Sequence, residues 1–266
     1  MDILDKIIAH KQKEVEKRKE TSPIKQLEKT SYFETPVISL SHYLRMNNKP
    51  RIIAEIKRKS PSKGMINENI DVVELSTGYI QAGAAALSVL TDTAFFHGSN
   101  EDLLIARKHN TNPILRKDFM IDKYQILEAK SIGADAILLI AAALSPEKTR
   151  RLAQFANGLG LEVLLEVHNE AELQKHPNEF VNIIGVNNRN LKTFEVDIQT
   201  SVQLVNLIPD NFIKISESGI SSPKAINLLL NEGFDGFLVG EYFMKSPKPH
   251  LECERLIKSV KELMKG

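Results

Sequence analysis

The chain has 266 residues, 42% of them hydrophobic and 26% charged, with a formal net charge of +1. That balance fits an ordinary globular chain and excludes a dominant electrostatic field for nucleic acid or a membrane surface. The single cysteine, Cys253, excludes an intrachain disulfide and suits a reducing compartment, so a cytoplasmic location is expected.

The first twenty residues, MDILDKIIAHKQKEVEKRKE, are too charged for a signal peptide and read as an amphipathic helix. Leu4, Ile8 and Val15 are expected to form its apolar face, with the lysines solvated. Residues 1–48 have no repeating partner and are expected to be a helical extension laid over one mouth of the domain formed by residues 49–266, the whole being a single structural domain.

From Ile52 onward, short β-rich runs alternate with longer helical patterns. The runs RIIAEIK, AALSVLT, PILRKDF, DAILLIA, LEVLLEV, NIIGVNN, FIKISES and DGFLVG begin near residues 51, 85, 113, 135, 161, 182, 212 and 235. Eight strands spaced by about 27 residues suit βα units with short connections. Val72, Leu75, Tyr79 and Ile80 form one intervening apolar stripe; Ile198, Val202 and Val205 form another; Leu256, Val260, Leu263 and Met264 form the last. Asn169 with Glu172 fits a capping box, and Ser145-Pro146 and Ser222-Pro223 place a capping serine before a proline. The fold class is α/β, a (β/α)8 TIM barrel with an N-terminal helical extension. A doubly wound open sheet is the alternative, but no GxGxxG follows the first strand.

In such a barrel the active site forms at the C-terminal ends of the strands. The first strand ends in Glu55 and Lys57, then Ser60; the third in Lys117, then Phe119; the fifth in Glu166; the sixth in Asn187 and Arg189; the seventh in Glu217-Ser218-Gly219; the eighth in Gly240. The second and fourth offer only Thr91 and small residues. Any one of these polar groups could be a solvated strand cap or a turn residue. Together, on rigid strands around one axis, they must be paired or serve a ligand, because an unpaired ion there costs several kcal/mol. Ile53, Glu55 and Lys57 are expected to face the barrel axis, and Ile52, Ala54 and Ile56 the helices. Gly219 and Gly240, in the loops after strands seven and eight, suit a phosphate site.

The segments IIAEIKRKSPSKG, ILRKDF, LLEVH, GVNNRNL, SESGI and FLVGE, in this order, resemble indole-3-glycerol-phosphate synthase over nearly the whole chain. The resemblance implies a step of tryptophan biosynthesis in which 1-(2-carboxyphenylamino)-1-deoxy-D-ribulose 5-phosphate closes a ring and loses CO2 and water, without metal or other cofactor. It implies that Lys117 is the general acid, that Lys57 binds the substrate carboxylate, and that Glu166 does acid–base work in rearomatisation or dehydration. Glu55 and Asn187 would orient these groups. Ser60, Arg189, Glu217 and Ser218 would contact substrate, and Phe119 would wall the aromatic ring. Gly219, Gly240 and the backbone N–H of Glu241 would hold phosphate, with the Glu241 carboxylate turned away. Lys57 and Lys117 are expected to lower each other's proton affinity.

A small phosphorylated molecule is the expected partner, and a monomer the expected state. Rival readings are a sugar-phosphate isomerase or a Schiff-base aldolase on the same barrel, with Lys117 as imine-former; a nucleic-acid binder using Lys57, Arg58, Lys59 and Lys63; and a non-catalytic phosphate-binding barrel. The balanced charge and lack of interleaved aromatics disfavour nucleic acid.

Overall fold

The computed structural model describes residues 2–46 and 51–264. The expected boundary between residues 48 and 49 lies outside the described residues. Eight parallel strands close a barrel in chain order: β1 (Ile52–Ile56), β2 (Ala86–Leu90), β3 (Ile114–Lys117), β4 (Ala136–Ile140), β5 (Glu162–Val167), β6 (Ile183–Asn187), β7 (Ile213–Glu217) and β8 (Gly236–Val239), with β8 pairing back onto β1. Each begins within a residue or two of the position read from the sequence.

The strands are near-continuous runs of isoleucine, leucine and valine because both faces are covered. Ile52, Ala54 and Ile56 pack outward with the barrel helices, while Ile53 packs inward with Leu115, Leu164, Ile183 and Ile213. Helix starts follow local chemistry: Ser145 and Ser222 accept the backbone N–H of Lys148 and Ala225, each ahead of a proline in the first turn. Asn169 caps in the same way, accepting from the Glu172 N–H. The capping box expected there does not close, because the Glu172 carboxylate turns to His168 instead. In the last helix, Cys253, Leu256, Ile257 and Val260 are buried, whereas Leu263 and Met264 are exposed beyond the final turn's contact with the barrel.

The N-terminal segment reaches both mouths of the barrel, not one. Helix α1 (Ile3–Thr21) lies at the C-terminal mouth; the short helix α2 (Ile24–Leu27) follows; α3 (Leu40–Arg45) plugs the opposite mouth. Leu40 and Leu44 are fully buried among the inward-facing strand residues, a contribution of roughly 1.5–3 kcal/mol each. Ser39 Oγ and the Ser41 N–H donate to Glu162 at the start of β5, which fixes the plug.

The buried line of α1 is Ile7, Lys11 and Val15, while Leu4 and Ile8 are only half-buried. Lys11 is the departure from the expected face. Its ammonium lies 2.9 Å from each of Glu14, Asp92 and Asp118 and is 1% exposed. Asp118 also accepts the Thr91 hydroxyl at 2.6 Å and lies 3.4 Å from the Arg116 guanidinium, which pairs in turn with Glu128. Arg18 joins Glu128 from α1. This ionic clamp ties α1 to the ends of β2 and β3, one residue from Lys117.

Candidate active site

A cavity of about 560 Å³ opens at the C-terminal ends of the strands. All the residues singled out from the sequence line it: Glu55, Lys57, Ser60, Lys117, Phe119, Glu166, Asn187, Arg189, Glu217, Ser218, Gly219, Gly240 and Glu241. Lys117 stands at its floor. Its Nζ is 3.0 Å from Glu166 Oε2 and pairs closely with Glu217 Oε2. Lys57 Nζ pairs with Glu55 Oε1 at 2.6 Å.

Three carboxylates therefore share two lysines. Burial weakens Lys117's hold on its proton, but Glu217, Glu166 and Glu55 outweigh it and hold the ammonium well above the ordinary lysine range. The expectation that neighbouring cations would weaken Lys117's hold on its proton is overturned, because its direct partners are carboxylates. Burial and the nearby Glu166 and Glu55 charges push Glu217 up to about 7, against the opposing pull of Lys117. Glu166 moves the other way, held ionised by Lys117 and His168 with help from Asn187.

Two glycines make this crowding fit. A Cβ on Gly240 would collide with the Glu55 carboxylate, and one on Gly185 with that of Glu217. Gly240 thus makes room for a carboxylate, whatever else its loop does.

The remaining residues form the rim. Asn187 Oδ1 accepts the Arg189 N–H at 3.0 Å, and Ser60 Oγ lies 3.4 Å from Ser62 Oγ. Phe119 packs against Phe96 with ring centroids 6.0 Å apart. Ser218 and Gly219 both adopt positive φ, 66° and 74°, which turns the chain sharply after β7. Glu241 accepts from Arg189 at 2.9 Å and pairs with Lys245 at 2.8 Å. Its charge is neutralised, and the Arg189 guanidinium is already engaged, so a ligand reaching Arg189 must share it with Glu241.

The structure adds residues that the sequence did not place at the site. Ile3, Leu4 and Ile7 of α1 roof the cavity, and Leu90, Leu138 and Ile140 give it apolar walls from β2 and β4. Those two strands, expected to offer only small groups, supply bulk instead. The inward parity of Leu138 and Ile140 was the available signal. Among the described residues, no group of three or more His, Cys, Asp or Glu side chains is arranged to hold a metal ion, and no helix is long and apolar enough to cross a membrane.

The chain resembles solved barrels at low identity. It superposes on 3-hexulose-6-phosphate synthase from Salmonella typhimurium with a TM-score of 0.63 at 11% identity, covering 80% of this chain and 99% of the other. It superposes on thiamine phosphate pyrophosphorylase from Pyrococcus furiosus with a TM-score of 0.61 at 16% identity, covering 85% and 100%. These likenesses show the fold alone. Sequence comparison goes further. Indole-3-glycerol phosphate synthase of Bacteroides thetaiotaomicron is 46% identical over 259 residues, covering 97% of this chain and 99% of the relative. That of Acinetobacter baumannii is 43% identical over 248 residues, covering 93% and 92%. The profile of the indole-3-glycerol phosphate synthase family matches residues 4–256. With this extent of agreement, the chain belongs to the indole-3-glycerol phosphate synthase family.

Proposed function

We propose that the cavity converts 1-(2-carboxyphenylamino)-1-deoxy-D-ribulose 5-phosphate into indole-3-glycerol phosphate, CO2 and water, as a step of tryptophan biosynthesis. The observation that carries the reading is Lys117, held between Glu166 and Glu217 at the floor of an apolar-walled cavity.

Two of the three ammonium protons of Lys117 face carboxylates, which leaves one for a substrate oxygen. As the aromatic ring carbon bonds to the ketone carbon, the carbonyl electrons move to oxygen. That alkoxide is far more basic than a carboxylate, so it takes the Lys117 proton. Loss of CO2 returns an electron pair to the ring. Glu166 then takes the proton from the carbon beside nitrogen and passes it to the departing hydroxyl, which leaves as water and makes the new five-membered ring aromatic.

Lys57, with Glu55 as its counter-charge, holds the substrate carboxylate, and Asn187 orients Glu166. Phe119 walls the aromatic ring. Ser60, Arg189, Glu217 and Ser218 contact the substrate chain. Gly219, Gly240 and the Glu241 N–H take the phosphate. No metal or other cofactor is invoked.

The chain acts as a monomer in the cytoplasm, with residues 1–48 and 49–266 as extension and barrel of one structural domain. The contacts of α1 with Asp92 and Asp118, and of α3 with the strand starts, support the single-domain reading. The buried free Cys253 suits a reducing compartment.

The test is a fluorescence assay for indole product, run on the purified protein and the ribulose phosphate without added metal. Product formation is expected. Its absence, or a borohydride-trapped adduct on Lys117, would favour a Schiff-base reaction instead.

A further inference from the structure

His168 follows β5 and does not line the cavity, yet it touches the group that does the chemistry. Its Nε2 lies 3.3 Å from Glu166 Oε1, and its Nδ1 lies 3.2 Å from Glu172 Oε2. Its backbone N–H donates to the same Glu172 oxygen at 2.8 Å. The other Glu172 oxygen accepts the Asn169 amide at 2.8 Å. This is why Glu172 leaves the capping box open: its carboxylate is spent on His168. Nδ1 hydrogen-bonds Glu172, while Nε2 is buried beside Glu166 without hydrogen-bond geometry, so the link to Glu166 is one of charge: an imidazolium sets a positive charge between two carboxylates, which a neutral ring does not.

We propose that His168 is a positioning residue: a buried imidazolium that keeps Glu166 ionised and turns its Oε2 toward Lys117. The result is a row of alternating charge, Glu172–His168–Glu166–Lys117–Glu217, running from the outer edge of the barrel to the cavity floor.

The groups around it agree on the sign. Glu166 faces the ring from β5 and Glu172 from the helix Glu170–Lys175, both anionic. Lys117 lies beyond Glu166 on β3, and Asn187 supports Glu166 from β6. His176, the next titratable ring, bonds Thr149 Oγ1 at 3.0 Å and feels Glu172 first and Glu147 second, with burial lowering its pKa. The two carboxylates raise the His168 pKa to about 10 against the burial that opposes them.

The inference rests on the proposed role of Glu166, so its test has a readout independent of turnover. NMR titration of the wild-type imidazoles should find His168 still charged at pH 8, where an ordinary histidine, with a pKa of about 6.5, is neutral. In Glu172→Gln that titration should move down by at least about one pH unit. In His168→Asn, kcat per folded molecule should fall about 10- to 100-fold with KM within about twofold, because Glu166 loses its aim rather than the substrate its contacts. A His168 ring that titrates near 6.5 in the wild type overturns the proposal. So does His168→Asn with wild-type kcat and only a lowered melting temperature. If His168→Asn does not fold, Glu172→Gln decides: an unmoved ring titration sinks the idea. A wild-type protein without synthase turnover would refute the function while the ring titration still judged the imidazolium.

Discussion

Two lysines, the buried Lys11 and the cavity-facing Lys117, stand one residue apart in their contacts, since Lys11 binds Asp118. Each ammonium is held by carboxylates, and each is pushed above the ordinary lysine range by them. Their partners behave oppositely. Asp118 faces two cations, Lys11 and Arg116, and accepts the Thr91 hydroxyl, so its pKa falls to about 2. Glu217 shares Lys117 with Glu166 and lies near Glu55, so its pKa rises to about 7. The difference lies in how many cations each carboxylate has to itself: two for Asp118, one shared with Glu166 for Glu217. The centre of the clamp, Lys11 with Asp92 and Asp118, is at most 1% exposed, and Asp118 holds no proton at neutral pH. In the site cluster Glu166 and Glu217 share one ammonium beside an open cavity, so Glu217 can exchange a proton there.

The comparison breaks most sharply on Lys117→Ala. Turnover should drop by about 10²- to 10⁴-fold, the worth of a general acid, with the far-ultraviolet circular dichroism unchanged. A near-wild-type kcat would remove Lys117 from the chemistry. Lys11→Met should do the reverse. It strands Asp92 without its cation and leaves Asp118 with Arg116 alone, and urea unfolding should register a loss of about 3–5 kcal/mol. Turnover per folded molecule should suffer far less than in Lys117→Ala.

The clamp also has an acid limit. The folded-state pKa of Asp118 is depressed, so its stabilisation is fully present above the unfolded value of 3.8 and is lost as pH falls toward about 2. Across that window the wild type should lose about 2 kcal/mol more unfolding free energy than Asp118→Asn. The smallest effect should come from Ser145→Ala, which touches neither cluster. Loss of the cap on Lys148 N–H should cost about 1 kcal/mol and leave kcat unchanged.

The two regions also differ in how far the sequence exposes them. The eight strands are legible because burial on both faces leaves apolar runs that no helix period interrupts. Glu55, Lys57, Lys117 and Glu166 are legible because charges at the ends of such runs have no ordinary reason to be there. Lys11 is not legible. A lysine four residues from Ile7 and Val15 reads as a break in an apolar face, and only Asp92 and Asp118, some eighty and a hundred residues away, make it part of the core. The same holds for Ile3 and Ile7 as a roof and for Leu40 and Leu44 as a plug, since the mouth each segment covers is set by tertiary contact alone. Gly185 reads as a weak point in a strand until Glu217 is seen to need its space. His168 was visible in LLEVH, but its importance depends on two carboxylates on different elements.

The claim that two carboxylates sharing one ammonium raise Glu217 is tested most directly by a carboxyl NMR titration of the glutamates in the wild type and in Glu217→Gln. One wild-type resonance should titrate near pH 7 and vanish in the variant, with its proton held by the folded site and released as pH rises. A wild type in which every glutamate titrates in the ordinary range near 4.3, or a resonance near 7 that survives Glu217→Gln, would contradict it.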